Sequence, residues 1–553
     1  MLQENFVHSL ESSIKKNWGL KAFTDYKGST MYYHDVSKKI LELHALFEQF
    51  NIQKGDKISL IGKNSSAWTT IYLATITYGA VIVPILPDFN PQDIHNIINH
   101  SDSVLLFSSE SIYSTLNPEK LPAINGIFTI QDTRPFDNFK KDEINQKLKK
   151  AKEYFKENYR DLLSPVNFKV VPTSNEELAV ISYTSGTTGF SKGVMLDHNS
   201  LMANVRYAWN NMPLEAGDEI VSFLPLAHAY GCAFEFLFPF SLGCHITFLT
   251  KTPSPQVIME AFKEVKPRLI LSVPLVIEKI YKKQILPVIH KPHMKFLMKI
   301  PGINQIIFNK IRKKLESVFG GNFTEIVIGG APFNQDAEKF FKKIGFPFTV
   351  GYGMTECGPL ISYSGWKTTR LRSSGKPVDT LEIKIDSSNP FKEVGEILVK
   401  GDNVMRGYYK NEEATKEVID PEGWLHTGDL GILDKEKNIY IKGRSKSMML
   451  GPSGQNIYPE EIESIINNLP LVQESLVVEK NDKFIALIYP DFELMEKEGV
   501  NEEKLNNILK EYKKIVNDQT PSFVRIADFV IYPDEFAKTP KRSIKRFLYT
   551  EVD

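Results

Sequence analysis

Tyr183-Thr-Ser-Gly-Thr-Thr-Gly-Phe-Ser-Lys-Gly193 lies between two apolar runs, 177–182 and 194–196, that read as short strands. Gly186, Gly189 and Gly193 let the backbone turn sharply and come close to a ligand. Thr184, Ser185, Thr187, Thr188 and Ser191 supply hydroxyls, and Lys192 supplies a positive charge. Successive backbone N–H groups in such a turn form a concave anion site. Together these features describe a phosphate cradle. The loop differs from the Gly-x-x-x-x-Gly-Lys-Ser/Thr loop that opens a helix, because Lys192 is followed by Gly193 and an apolar run. The competing reading is a solvated Ser/Thr/Gly turn.

Outward from this loop, strands and helices alternate. Upstream, a helix within 1–20 precedes a hairpin at 22–33. Asp35 then caps a helix carrying Val36, Ile40, Leu43 and Leu46. Strand-like runs at 57–61, 81–86 and 103–107 are separated by helical patterns at 65–78 and 91–98. Residues 132–176, rich in Lys, Glu and Asn, read as a surface excursion with a helix at 142–160. Downstream come helix 198–209, strands at 219–223, 245–249 and 268–272, helix 255–265, strand 324–328, helix 334–344 and strand 346–350. This alternation predicts an α/β fold with mostly parallel sheets covered by helices.

The short β-runs of 381–442 predict a small β-subdomain at about 375–442. The expected organisation is a large domain over 1–442, a hinge at 443–446, and a small, mobile α+β domain over 447–553. In the last, helices are expected at 459–467 and 502–516 and strands near 474–479 and 483–489.

Composition excludes several classes. Lys+Arg and Asp+Glu each number 67, so no global charge suggests nucleic acid. Three cysteines, Cys232, Cys244 and Cys357, argue against a disulfide framework and fit a reducing cytoplasm. Cys232 and Cys244 with His228 and His245 could suggest a metal site. But Cys244 and His245 are adjacent in a strand and would face opposite ways, so buried structural cysteines are expected. The N-terminus lacks the pattern of a secretion signal.

Other stretches carry possible chemistry. Glu356, in Gly351-Tyr-Gly-Met-Thr-Glu356, is a hard carboxylate of the kind that Mg²⁺–nucleotide requires, and Tyr352 could stack on a base. Trp424-Leu-His-Thr-Gly-Asp429 places a carboxylate at a turn, where an ordinary β-turn aspartate is the bland reading. His228 stands in Pro225-Leu-Ala-His-Ala-Tyr230, beside Phe234, Phe236, Phe238 and Phe240. Such phenylalanines more often pack a core than line a ligand tunnel. Residues 279–315 hold no Asp or Glu but carry Lys279, Lys282, Lys283, Lys291, Lys295, Lys299, Lys310, Arg312, Lys313 and Lys314 among apolar residues. That mixture suits a membrane surface or a solvated basic face.

Taken in order, T-S-G-T-T-G, G-G-A-P (329–332), G-Y-G-M-T-E, G-W-L-H-T-G-D and K-G-R-S-K, then G-Q-N-I-Y-P-E-E-I-E, resemble the adenylate-forming, AMP-binding superfamily. Within it the chain looks most like the long-chain fatty-acid–CoA ligases. The resemblance implies ATP, Mg²⁺ and coenzyme A as cofactor and co-substrates, and a two-step reaction through acyl-AMP. It assigns the β- and γ-phosphates to Thr184, Ser185, Gly186, Thr187, Thr188, Gly189 and Lys192, and the metal to Glu356 with Thr184. It assigns the adenine side to Gly330, Ala331, Pro332, Gly351, Tyr352, Gly353, Met354 and Thr355, and the ribose to Asp429 and Arg444. His228 would line the acyl pocket, Lys446 would be the hinge, and the Gly454 loop would serve the pantetheine tunnel. The implied partners are a fatty acid and coenzyme A, with peripheral membrane contact through 279–315 and a homodimer as further expectations.

One departure stands out. The family pattern Thr-Pro-x-x-Lys ends here in Ser543, within Thr539-Pro-Lys-Arg-Ser-Ile-Lys545. Serine lacks the positive charge, so Lys541 or Lys545, each two residues away, is the expected substitute. Three other readings stay open: a carrier-protein ligase, a fatty-acyl-AMP ligase, and a non-catalytic nucleotide- or fatty-acid-binding relative.

Overall fold

The structure is a computed structural model and describes residues 2–184, 191–250, 254–289, 291–450, 456–480, 483–520, 524–539 and 544–549. Its largest sheet has seven strands, in the order Gly407–Tyr408, Lys192–Asp197, Leu178–Thr184, Val81–Ile85, Lys57–Ile61, Ser103–Ser108 and Gly126–Thr129. From Leu178–Thr184 to Gly126–Thr129 the neighbours run parallel. Val81–Ile85 is buried throughout, and helix Ser66–Tyr78 is buried on nearly every side. Near-continuous apolar runs are what a sheet covered on both faces requires. Ser65 caps that helix by accepting from the Trp68 N–H, and Gly79 ends it at φ +87°.

Two further sheets extend the large domain. Thr30–Tyr32, Lys21–Asp25, His245–Phe248 and Glu219–Ser222 form one, and the parallel strands Leu269–Ser272, Glu325–Ile328 and Phe348–Val350 form another. The expected β-subdomain is an antiparallel sheet of Leu381–Asp386, Gly395–Gly401, Leu425–Leu433 and Ile439–Arg444. Beyond it, Val472–Lys480, Lys483–Pro490 and Ile526–Ile531 form the last sheet, packed with helices Pro459–Ile466 and Glu502–Gln519.

Hydrophobic burial separates these parts. One contiguous core runs from Phe6 to Ile439, and a second runs from Ile457 to Phe529. A small cluster of Leu476, Val478, Leu487, Phe536 and Tyr549 joins the far face of the last sheet to the C-terminal segment.

Some details differ from the sequence reading. Helix Tyr33–Gln49 starts two residues before Asp35, whose carboxylate accepts the Tyr32 N–H at 2.9 Å. The four phenylalanines 234–240 lie in a π-helical turn, Cys232–Leu237, and the helix Phe238–Leu242. All four are buried in the core, which agrees with the core-packing reading. Helix Phe492–Glu498, strand Ile526–Ile531 and the two-residue strand Gly407–Tyr408 were not anticipated. The cysteines are free and buried, and the described residues hold no group of His, Cys, Asp and Glu that could bind a metal.

Candidate active site

The strands beside the phosphate-cradle loop form an antiparallel hairpin, with Thr184 opposite Lys192 and Tyr183 opposite Gly193. The two candidates at its base therefore face each other directly. Ser185, Gly186, Thr187, Thr188 and Gly189 lie outside the described residues. Gly193, read as a point of ligand approach, has a second reason to be glycine. A Cβ there would stand 2.9 Å from Ile181 and 3.1 Å from the Tyr183 ring.

Two parallel strands deliver the adenine-side candidates. Glu325–Ile328 runs into Gly329, whose N–H donates to Ser272 O at 3.0 Å, and then into exposed Gly330, Ala331 and Pro332, with Gly330 at φ +89°. Phe348–Val350 runs into Gly351, whose N–H donates to Ile328 O at 2.9 Å. The next turn is tight. The Met354 N–H donates to Pro359 O at 2.9 Å, and a Cβ on Gly353 would lie 2.1 Å from that same oxygen. Thr355 and Glu356 are buried in the following 3-10 turn.

These loops meet the β-subdomain at Asp429. The Tyr352 hydroxyl donates to one carboxylate oxygen at 2.8 Å, and Arg444 Nε lies 3.0 Å from the other. Asp429 and Arg444 are cross-strand partners, so the strand register itself aligns the pair. Burial raises the Asp429 carboxyl above its ordinary range. Arg444 and the Tyr352 hydroxyl pull it back down, while Glu356 and Glu460 push it further up. Tyr352, Glu356, Asp429 and Arg444 thus form one electrostatic cluster, although they come from three separate segments.

Lys192 and Glu356 are brought together through a residue that the sequence did not flag. The Tyr408 hydroxyl donates to Glu356 Oε1 at 3.0 Å, and Lys192 Nζ stands 4.8 Å from the centre of the Tyr408 ring. Tyr408 lies in the two-residue strand that extends the large sheet, paired with Lys192–Asp197. A two-residue strand leaves almost no periodic signal to read.

Among the described residues Glu356 belongs to no group of three or more metal-binding side chains, and a lone hard carboxylate fits Mg²⁺. This ion is ordinarily held by one or two carboxylates plus substrate phosphates rather than by a protein cage.

His228 is partly buried at the start of a short helix. Its neighbours Ala227 and Ala229 line a cavity of about 20 Å³ with Tyr72, Leu226, Cys232 and Gly358, so this loop abuts the Glu356 turn. Two side chains absent from the sequence reading hold the approach to His228. Asn64 donates to Leu224 O at 2.7 Å and accepts the Leu226 N–H at 3.0 Å. Fully buried Glu235 accepts the Phe223 and Leu224 N–H groups, both at 3.0 Å, and burial drives its carboxyl far upward. A lone Glu within an apolar run is the signal that could have revealed it.

On the C-terminal side, Lys446 sits in the exposed turn Ser445–Ser447. Gly443 packs against the start of helix Pro459–Ile466, where a Cβ would meet Tyr458 at 3.2 Å and Glu460 at 3.3 Å. Gly454, Lys541 and Ser543 lie outside the described residues. The Lys545 N–H donates to Ala537 O at 2.8 Å, and Arg546 beside it is paired with buried Glu463 and lies 3.7 Å from Glu460. Lys282, one of the basic residues of 279–315 read as a membrane-facing or solvated face, instead donates to Asn467 O across the two cores. Asn334 and Asn468 make a second such contact.

Residues 10–409 match the family model described as AMP-binding enzyme. The peroxisomal long chain acyl-CoA synthetase 7 of Arabidopsis thaliana is 27% identical over 549 residues, covering 92% of this chain and 76% of that protein. The long-chain-fatty-acid–CoA ligase 5 of Rattus norvegicus is 28% identical over 550 residues, covering 90% and 79%. Among solved structures, the anthranilate CoA ligase AuaEII in complex with anthranoyl-AMP superposes with a TM-score of 0.79 at 19% identity, covering 99% of this chain and 97% of that one. ATP-bound MatB from Rhodopseudomonas palustris gives 0.76 at 21% identity, covering 99% of each. The chain belongs to the AMP-binding enzyme family and is an acid–thiol ligase.

Proposed function

We propose that the protein converts a long-chain fatty acid, ATP and coenzyme A into acyl-CoA, AMP and pyrophosphate. The observation that carries this reading is the convergence of the phosphate hairpin, the Glu356 turn and the Tyr352–Asp429–Arg444 cluster. The relatives named for long-chain substrates support the acyl class.

In the first step the fatty carboxylate attacks the α-phosphorus and pyrophosphate leaves, so the protein's task is positioning and charge neutralisation. Thr184 and Lys192, with Ser185–Gly189 between them, hold the β- and γ-phosphates. Tyr352 and the Gly330–Pro332 turn flank the adenine, while Asp429 accepts from the ribose hydroxyls and Arg444 donates to them. Glu356 and Thr184 would hold Mg²⁺, which would supply positive charge against the phosphate oxygens. His228 faces the carboxylate end of the acyl group. Lys541 or Lys545 supplies the charge that Ser543 does not.

For thioester formation, residues 447–553 turn about 443–446 with Lys446 as pivot, bringing the Gly454 loop to the pantetheine. Two separate hydrophobic cores support such a movement, because turning one against the other breaks few apolar contacts. Among the described residues no helix is long and apolar enough to cross a membrane. Peripheral contact is supported by Phe296 and Ile306, 67% and 68% exposed beside Lys291, Lys299 and Lys310. Flotation with anionic but not neutral vesicles, lost on Phe296→Ser with Ile306→Ser, checks it.

The test of the whole reading is thioester formation from a panel of fatty acids of rising length. Acyl-CoA that appears only with ATP, Mg²⁺ and a long-chain acid supports it. Product from short or aromatic acids alone would replace the substrate class.

A further inference from the structure

We infer that Tyr408 is a positioning residue that keeps Lys192 and Glu356 apart and available, one for phosphate and one for the metal. The inference rests on the site roles proposed above. A lysine and a glutamate converging on one small site attract each other, and a direct pair would neutralise both before nucleotide arrives. Here both groups contact one phenol instead. Its hydroxyl engages Glu356 Oε1 at 3.0 Å, and its ring face receives Lys192 Nζ at 4.8 Å. Among the described residues, Lys192 and Glu356 form no ion pair with each other.

The backbone around Tyr408 is fixed from several directions. The Met405 N–H donates to Glu356 O at 2.8 Å, and the Tyr409 N–H donates to Gly193 O at 2.8 Å. The Tyr408 N–H donates to Thr415 Oγ1 at 2.9 Å. The strand thus ties the turn carrying Glu356 to the strand carrying Lys192, with Tyr408 at the junction.

Two variants separate the two contacts. Tyr408→Phe keeps the ring over Lys192 but removes the donor to Glu356. The expected result is a rise of about 10-fold in the Mg²⁺ concentration giving half-maximal pyrophosphate–ATP exchange, with the KM for ATP at saturating Mg²⁺ nearly unchanged. Tyr408→Leu removes both contacts and should add a rise of about 5-fold in that KM. The split between Mg²⁺ dependence and KM is a readout that loss of packing alone would not produce. A wild-type Mg²⁺ profile in Tyr408→Phe, or identical behaviour of the two variants, overturns the inference. Absence of Mg²⁺-dependent exchange in the wild type instead overturns the parent reading, and this inference with it.

Discussion

The candidate nucleotide site and the C-terminal unit are held together in opposite ways. At the site, Tyr352, Asp429, Arg444, Glu356, Tyr408 and Lys192 are linked by short polar contacts between segments of one continuous core. The C-terminal unit has its own core, and polar contacts such as Lys282 to Asn467, Lys442 to Glu461 and Asn334 to Asn468 join it to the rest. A site that must stabilise charge needs groups fixed in advance, since reorganising them would add to the barrier. A unit proposed to serve two steps needs an interface that can be broken at small cost. The contrast between a fixed framework and a loosely fastened module is what the two-step chemistry demands.

The strongest way to break this contrast is at the framework. Lys192→Ala or Glu356→Gln should lower pyrophosphate–ATP exchange by about 100- to 1,000-fold without lowering the melting temperature in step. An equal fall in stability would mean that the pair holds the fold rather than the charge.

Next in size is the internal stability of the module. Arg546→Met leaves Glu463, which is 7% exposed, without its cation. The expected loss is about 3 kcal/mol, the low end for a broken buried pair, because the Arg546 side chain is itself about a quarter exposed. Denaturant unfolding should show this loss in the C-terminal transition alone. Coupled loss in both transitions would deny the module its independence.

A smaller effect concerns Asp429, the carboxylate proposed for the ribose. The Asp429 carboxyl is raised above its ordinary range, so on acidification it takes up a proton at a higher pH than a free aspartate does. The KM for ATP should therefore climb earlier on the acid side than an ordinary carboxylate would make it. Asp429→Asn should remove that acid limb and raise the KM at neutral pH by about 10-fold, the scale of one charge-assisted hydrogen bond. Because the raised carboxyl opposes folding as pH rises through its folded pKa, the asparagine variant should be no less stable at neutral pH.

The smallest effect is at the fastening. Lys282→Met removes one hydrogen bond, worth about 1 kcal/mol. It should alter thioester formation a few-fold and leave exchange unchanged. A change in exchange alone would place Lys282 in the framework instead.

How much of this was legible in the sequence follows from the range of each signal. Val81–Ile85 and the buried helix before it were read correctly because apolar runs and helical spacing are local. The five motif segments were legible because glycine, threonine and acidic residues at fixed offsets carry local turn geometry. Tyr408 was missed because its meaning depends on a strand pairing with residues more than two hundred positions earlier. Lys282 read as part of a membrane-facing or solvated basic face because an interface between two cores has no signature in either segment alone. Asn64 belongs with these, since its partners lie in a distant loop; Glu235 was signalled only by its place in an apolar run, because the backbone groups it accepts from carry no side-chain pattern.

Isotope exchange between pyrophosphate and ATP, with a long-chain fatty acid and Mg²⁺ but without coenzyme A, tests the central claim most directly. Exchange that requires the acid, vanishes in Lys192→Ala and survives removal of coenzyme A is the predicted result. It would show that the framework completes adenylation although Ser543 stands where a lysine is usual, and loss of exchange in Lys541→Ala with Lys545→Ala would identify the substitute. Exchange that needs no acid would mean that AMP passes to another acceptor, and none with any acid would leave a nucleotide-binding protein without adenylation chemistry; either result would contradict the account.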